Sequence, residues 1–317
     1  MANKLAVVAV GGNSLIKDDK HVTVENQVAA LRETAHHIAD MIEAGWDLAI
    51  GHGNGPQVGF ILRRSEIAAK VEGMHEVPLD VCGADSQGAI GYEFQQALQN
   101  EYHRRGIQKG AATVITQMLV DKSDPAFKNP SKPIGSFMAE AEARKRESEM
   151  HWSVIEDAGR GWRRVVPSPL PKKILELDSV KLLLNAGVTV ITVGGGGIPV
   201  VDKGNGEFEG TAAVIDKDFA SSLLAQEIGA ELFLIATAVE KVAINFGKPD
   251  QKWLDKMTVA EAKGYLAEGT HFVKGSMAPK VQAIIWFLEN GGKQALITNP
   301  ENIGRALKGE TGTWIVQ

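Results

Sequence analysis

Val188-Thr189-Val190-Ile191-Thr192-Val193-Gly194-Gly195-Gly196-Gly197-Ile198-Pro199 joins six consecutive β-branched residues to four consecutive glycines. β-branched side chains are stiff at χ1 and suit a pleated backbone. A run this apolar fits a strand buried on both faces, as in a parallel sheet. The glycines permit a sharp turn and let the backbone approach a ligand with no Cβ in the way. The same order of residues occurs twice earlier. Residues 5–10 run into Gly11-Gly12-Asn13-Ser14, and residues 47–50 into Gly51-His52-Gly53-Asn54-Gly55. Three strands ending in glycine-rich loops predict one shared cleft, because ligands of open α/β sheets bind outside the carboxyl ends of strands.

The rest of the chain supplies helices between the strands. Val28, Leu31, Ala35, Ile38 and Ile42 recur at three- and four-residue spacing, one face of an amphipathic helix that Gly45 stops. Further helices are expected over residues 57–71, 85–105, 178–186, 219–228, 259–267 and 279–289. The last places Pro279 at the first helical position and Gly291 past the end. Residues 111–120 read as one β-rich segment, 232–236 as a strand and 294–298 as the last strand. Residues 202–210 read as a hairpin or turn, and Lys248-Pro249-Asp250 as a turn. Strand–helix alternation implies an α/β fold with a mostly parallel sheet covered by helices. Residues 121–171 break the rhythm, with Pro125, Pro130, Pro133, Pro167, Pro169 and Pro171 around a polar helix at about 139–150. That segment is either a small lobe or lid, or a long surface loop carrying a solvated helix.

At 317 residues the chain can bury a large core. Its net charge of −5 gives no reason to expect nucleic acid or a membrane surface as partner. No apolar run reaches the roughly 18–20 residues of a membrane span. A strand begins almost at the N-terminus, which leaves no room for a signal peptide, and Cys82 is the only cysteine. Both observations suit a reducing, cytoplasmic location.

Glycine-rich strand-to-helix turns can bind phosphate or carboxylate through backbone N–H groups, or can be tight turns only. Gly11, Gly12 and Asn13, with Gly53, Asn54 and Gly55, are the first candidates. No P-loop is present, and Gly51-x-Gly53-x-Gly55-Pro56 and Gly194-x-Gly196-x-x-Pro199 both miss the third glycine of the dinucleotide fingerprint, so cations must come from elsewhere. Val214-Ile215-Asp216-Lys217-Asp218 opens a helix with a lysine, where the dipole favours anions. Either Asp216 and Asp218 merely offset Lys217, or Lys217 reaches a phosphate while Asp218 holds it. Gly275-Ser276-Met277-Ala278-Pro279-Lys280 repeats the arrangement. Two such cations suit a polyanion bound between them, or are unrelated surface lysines. Lys128 and Lys132 lie in the excursion, where a lysine either closes over a substrate or is solvated. Arg160, Arg163 and Arg164 form a basic patch or supply packing stems. The histidines show no metal-ligand spacing, and no Gly-x-Ser-x-Gly elbow occurs. Lysines, glycines and an aspartate point to electrostatic catalysis, the pattern of phosphoryl transfer.

On these segments, together with residues 127–135, 156–169, 194–201, 213–221, 245–250 and 275–280, the chain resembles the carbamate kinases of the amino acid kinase superfamily. The match runs in order along essentially the whole length. Ser14, and Glu240-Lys241-Val242, depart from the usual residues on the nucleotide side. The resemblance implies an open αβα sandwich with a small protruding lid subdomain at about 121–171. Residues 1–205 would form the carbamate and phosphoryl half of a single domain, and 206–317 the nucleotide half. It implies a reversible reaction in arginine metabolism: carbamoyl phosphate and ADP give ATP and carbamate, with Mg²⁺. Lys132, Lys217 and Lys280 would surround the transferring group, with Asp218 as organiser. The six glycine-loop residues would line the carbamate side. Asp216, Ile244, Asn245, Phe246, Lys248, Pro249 and Met277 would border the nucleotide. A homodimer is also implied. Another kinase of the superfamily, and a non-catalytic sensor of phosphate ligands, are the rival readings.

Overall fold

The computed structural model describes residues 4–12, 15, 23–156, 159, 161–273 and 275–317. Asn13, Ser14 and Arg160 lie outside the described residues. The chain begins with β1 (Lys4–Val10), α1 (Val24–Glu43), β2 (Trp46–His52), α2 (Gly55–Glu72), α3 (Leu79–Arg105), β3 (Ala111–Thr113) and β4 (Gln117–Val120). The excursion is β5 (Lys132–Met138), α4 (Glu140–Met150), β6 (Ser153–Glu156) and β7 (Trp162–Val166), and β8 (Pro171–Ile174) returns from it. Next come α5 (Leu177–Asn185), β9 (Thr189–Ile191), β10 (Ile198–Asp202), β11 (Phe208–Gly210), α6 (Lys217–Glu227) and β12 (Leu232–Ala236). The chain finishes with β13 (Val242–Ile244), β14 (Lys252–Leu254), β15 (Lys256–Thr258), α7 (Val259–Glu268), α8 (Met277–Glu289), β16 (Gln294–Thr298), α9 (Ile303–Leu307) and β17 (Thr313–Val316).

The central sheet has the order β15-β17-β16-β12-β1-β2-β9-β3. It is parallel from β16 to β3, and β17 runs antiparallel to β16. β1, β2 and β9 are neighbours, with Val10 paired to His52 and Ile50 to Ile191. Their glycine loops therefore leave the same edge side by side, as the shared cleft requires. Both faces of the sheet are covered, which is why the strands read as continuous apolar runs. Val7 and Ala9 of β1 face a core with Leu224 of α6 and Ile284 of α8. Ala6, Val8 and Val10 face the other core, with Leu31 and Ile38 of α1 and Phe94 of α3.

The excursion is an ordered lobe. β5, β7 and β6 form a three-stranded antiparallel sheet carrying α4. It joins the body through a small core of Val58, Leu79, Cys82, Ile134, Val166 and Val214.

Four expectations change. Residues 111–120 hold two strands in different sheets, since β3 ends the central sheet while β4 pairs with β10 and β8. The run 188–193 yields only Thr189–Ile191 as strand, because Val193 takes φ 46°, ψ 32°. That left-handed conformation costs a β-branched residue about 1–2 kcal/mol; full burial of its side chain and an N–H bond to Thr116 Oγ1 at 3.1 Å hold it there. α8 opens at Met277, so Pro279 is its third residue. β17 follows β16, and its alternating Thr-Trp-Ile-Val is too short for periodicity alone to separate it from a turn.

Candidate active site

Asp216, in extended conformation, caps α6 by accepting from the Asp218 N–H at 2.9 Å. This cap turns the chain so that Lys217 and Asp218 occupy the first helical turn. Lys217 Nζ donates to Asp218 Oδ1. Lys280, in the first turn of α8, donates to Asp218 Oδ2 at 3.2 Å and to the Ser276 carbonyl at 3.3 Å. Lys132, at the start of β5, donates to Asp216 Oδ2 at 2.7 Å. The structure thus brings three ammonium groups from a lobe strand and two helix starts together around two carboxylates.

These groups line one cleft of about 730 Å³, open to solvent, with Gly12, Gly53, Asn54, Gly55 and Gly195. Gly11 stands behind it, its N–H bound to the Ala236 carbonyl, and the Gly53 N–H is bound to the Val10 carbonyl. Those two amides hold the loops to neighbouring strands. At Gly53 an added Cβ would stand 3.4 Å from Lys217 Cδ, an ordinary van der Waals distance, so the lysine stem lies against this loop.

The four-glycine loop also serves packing. A Cβ on Gly195, at φ +63°, would lie 2.1 Å from Asn54 Nδ2, and one on Gly194 would lie 2.4 Å from His52 Nε2. Asn54 in turn donates to Ser86 Oγ at 2.8 Å. The glycines of the turn after β9 therefore accept the side chains of His52 and Asn54, a use the sequence alone did not reveal.

Electrostatics follow from burial. Burial pushes the Asp216 carboxyl up, but the Lys132 ammonium and its hydrogen bond outweigh it and hold the group well below the usual carboxylate range. Burial pulls the Lys217 ammonium down; Asp218 opposes this and Lys280 adds to it. A phosphoryl group arriving beside Lys217 would relieve that penalty.

Asp216 sits with Lys132, Lys217 and Lys280 in the cleft. None of Ile244, Asn245, Phe246, Lys248, Pro249 and Met277 lines this cleft. Residues 244–249 lie at the β13–β14 hairpin, where Asn245 Nδ2 donates to Asp250 Oδ2 at 2.6 Å and exposed Phe246 meets Trp253 edge-on. Met277 begins α8 and packs on the core, three residues before Lys280. Lys128 is exposed.

His52 was a bystander in the sequence and is fully enclosed in the structure. Burial takes its imidazole down to about 4; its bond to the Gly53 carbonyl opposes this and Lys217 adds to it. The unfolded chain takes up this proton near pH 6.5, the folded chain only near 4, so the contribution is present above 6.5 and is lost as the pH falls through that window. We expect about 3 kcal/mol of acid destabilisation from this group. Urea unfolding from pH 7 to 4 should fall more steeply for the wild type than for His52→Gln; parallel curves would refute the assignment.

With the geometry in place, comparison with known proteins is informative. The chain belongs to the amino acid kinase family, whose model matches residues 4–299. A carbamate kinase of Thermococcus kodakarensis is 51% identical over 315 residues, covering 99% of each chain. The carbamate kinase-like protein YahI of Escherichia coli is 50% identical, also over 99% of each. The solved structure of Giardia lamblia carbamate kinase bound to AMP-PNP superposes with a TM-score of 0.91 at 40% identity, covering 99% of each chain. Within the family, then, the chain groups with the carbamate kinases, and it is a kinase. Among the described residues no helix is long and apolar enough to cross a membrane.

Proposed function

We propose that the protein transfers a phosphoryl group reversibly between carbamoyl phosphate and ADP, giving carbamate and ATP. The observation that carries this reading is the convergence of Lys132, Lys217 and Lys280 on Asp216 and Asp218 in one cleft. An oxygen of the ADP terminal phosphate attacks phosphorus, and the bond from phosphorus to the carbamate oxygen breaks. Carbamate leaves as an anion, so neither direction needs a general base. That agrees with a cleft lining that contains no histidine among the described residues. The barrier is the approach of two anions in line, and its main remedy is positioned positive charge. An ammonium has three N–H donors, and Asp218 takes one from each of Lys217 and Lys280. With a second Lys280 donor on the Ser276 carbonyl, two N–H groups of Lys217 and one of Lys280 remain for phosphoryl oxygens, while the shared carboxylate keeps both lysines in place.

Mg²⁺ would arrive with the nucleotide. No cluster of three or more metal-ligating side chains occurs among the described residues. Among the described residues the carboxylates lining the cleft are Asp216 and Asp218, each already engaged by lysine. This fits an ion bound mainly by phosphates and water, with at most one or two protein carboxylates. When bound, it neutralises charge on the phosphate oxygens. The exposed Phe246–Trp253 pair offers an aromatic surface for the base, and a dimer in the cytoplasm remains the working expectation.

Hexokinase-coupled ATP formation from carbamoyl phosphate, ADP and Mg²⁺ tests the reading. Rapid turnover is expected. A folded protein that forms no ATP would exclude it and direct attention to other acceptors.

A further inference from the structure

We infer that Glu66, which lies outside the cleft, positions Lys132 through the lobe; this rests on the reading of the cleft given above. Glu66 lies on α2, and its side chain is 8% exposed. Its Oε2 accepts from Arg63 NH1 at 3.3 Å and stands 3.7 Å from Arg146 NH1, while Oε1 stands 3.8 Å from Arg164 NH1. Arg63 shares its helix, but Arg146 belongs to α4 and Arg164 to β7, both in the lobe. One body carboxylate thus faces two lobe guanidiniums. Both lie over the Trp152 ring, at 4.8 and 4.5 Å from its centroid, so they form one stacked unit. Two other acids act on this unit. Glu142 accepts from Arg146 at 2.8 Å, but it is on α4 and cannot tie the lobe to the body. Glu76 acts on Arg164 only through its charge.

The junction has a pivot and a tether. The pivot is Gly59 of α2 against Gly135 of β5: a Cβ on Gly59 would stand 2.3 Å from Gly135 Cα. Packing of Val58, Ile134 and Val166 seals that side. Towards Glu66 the junction is not close-packed. A pocket partly open to solvent is lined there by Leu62, Ile134, Phe137, Met138 and Trp152. Where the pocket interrupts the apolar packing, the Glu66 carboxylate and the two lobe guanidiniums span the junction and bear on the tilt of the lobe.

The tilt reaches the cleft along the lobe sheet. Arg164 is paired with Ile134, and Val166 with Lys132. Lys132 and Ile134 lie two residues apart, on the same face of β5. Movement of Arg164 away from Glu66 therefore carries Lys132 with it, and Lys132 is the lobe residue that meets Asp216.

A double-mutant cycle tests this. Glu66→Gln keeps the shape and removes the charge. It should lower kcat roughly 10- to 100-fold, with the KM for ADP within about twofold. In a Lys132→Ala background the same change should cost less than about twofold, because no ammonium remains to misplace. Arg164→Gln should behave the same way from the lobe side, and serves if Glu66→Gln fails to fold. Equal losses in both backgrounds would show that Glu66 acts on the fold alone, and no loss in the wild-type background would also overturn the inference. Wild-type turnover separately tests the proposed function. The same four proteins compared by melting midpoint need no substrate: non-additive shifts are expected, and additive shifts would count against the coupling.

Discussion

Replacing Lys217 by alanine is expected to lower kcat by roughly 10²–10³-fold, the loss typical of removing one donor aimed at developing charge. Lys217 opens α6, is largely enclosed, and donates to Asp218 in the cleft. An interaction made mainly in the transition state lowers kcat and kcat/KM together, so the KM for carbamoyl phosphate should change little. The fold should survive, because Asp218 keeps Lys280 at 3.2 Å. Lys128→Ala, which alters an exposed lobe lysine, is the control and should stay near wild-type activity. Steady-state kinetics with a melting check decide it. A Lys217→Ala enzyme within about fivefold of wild type, far short of a donor's usual contribution, would reduce Lys217 to a buried counter-ion of Asp218.

Gly59→Ala should be destabilising, against the usual sign. Within a helix, alanine normally improves on glycine by about 1 kcal/mol. Here the new Cβ would meet Gly135 Cα at 2.3 Å and Gly135 N at 2.5 Å. Both are backbone atoms, so no rotamer change relieves the overlap, and β5 must move off α2. Overpacking of this kind costs about 1–3 kcal/mol. The shift also displaces Lys132, three residues from Gly135, and kcat should fall by about tenfold or more. Gly88→Ala, in α3 with open space around it, should instead be neutral or slightly stabilising. Chemical denaturation and kinetics on both variants check the contrast. Similar behaviour of the two would mean that the lobe yields without cost.

Much of the site was legible because its signals are local. A lysine at a helix start conflicts with the dipole, and that conflict marked Lys217 and Lys280 before any contact was visible. Asp216 as a helix cap and the glycine ends of β1 and β2 are likewise properties of a few consecutive residues. Glu66 carried no such signal, since an acid in a polar stretch of helix looks solvated until the lobe is docked on it. His52 was equally silent, because its enclosure depends on a glycine in the turn after another strand. The division of residues 111–120 between two sheets was hidden for the same reason: a short β-rich run does not name its partner.

By itself, the amino-acid sequence determined the alternation of strand and helix, the burial of both sheet faces and the chemical character of the cleft. These follow from side-chain shape, hydrophobic period and capping, which act over a few residues. Only the tertiary structure decided which groups meet. Lys132 finds Asp216 across 84 residues and Lys280 finds Asp218 across 62. The tilt of the lobe rests on a glycine contact and a carboxylate between arginines. Such meetings depend on how whole elements dock, and docking sums many weak contacts that no short stretch of chain contains.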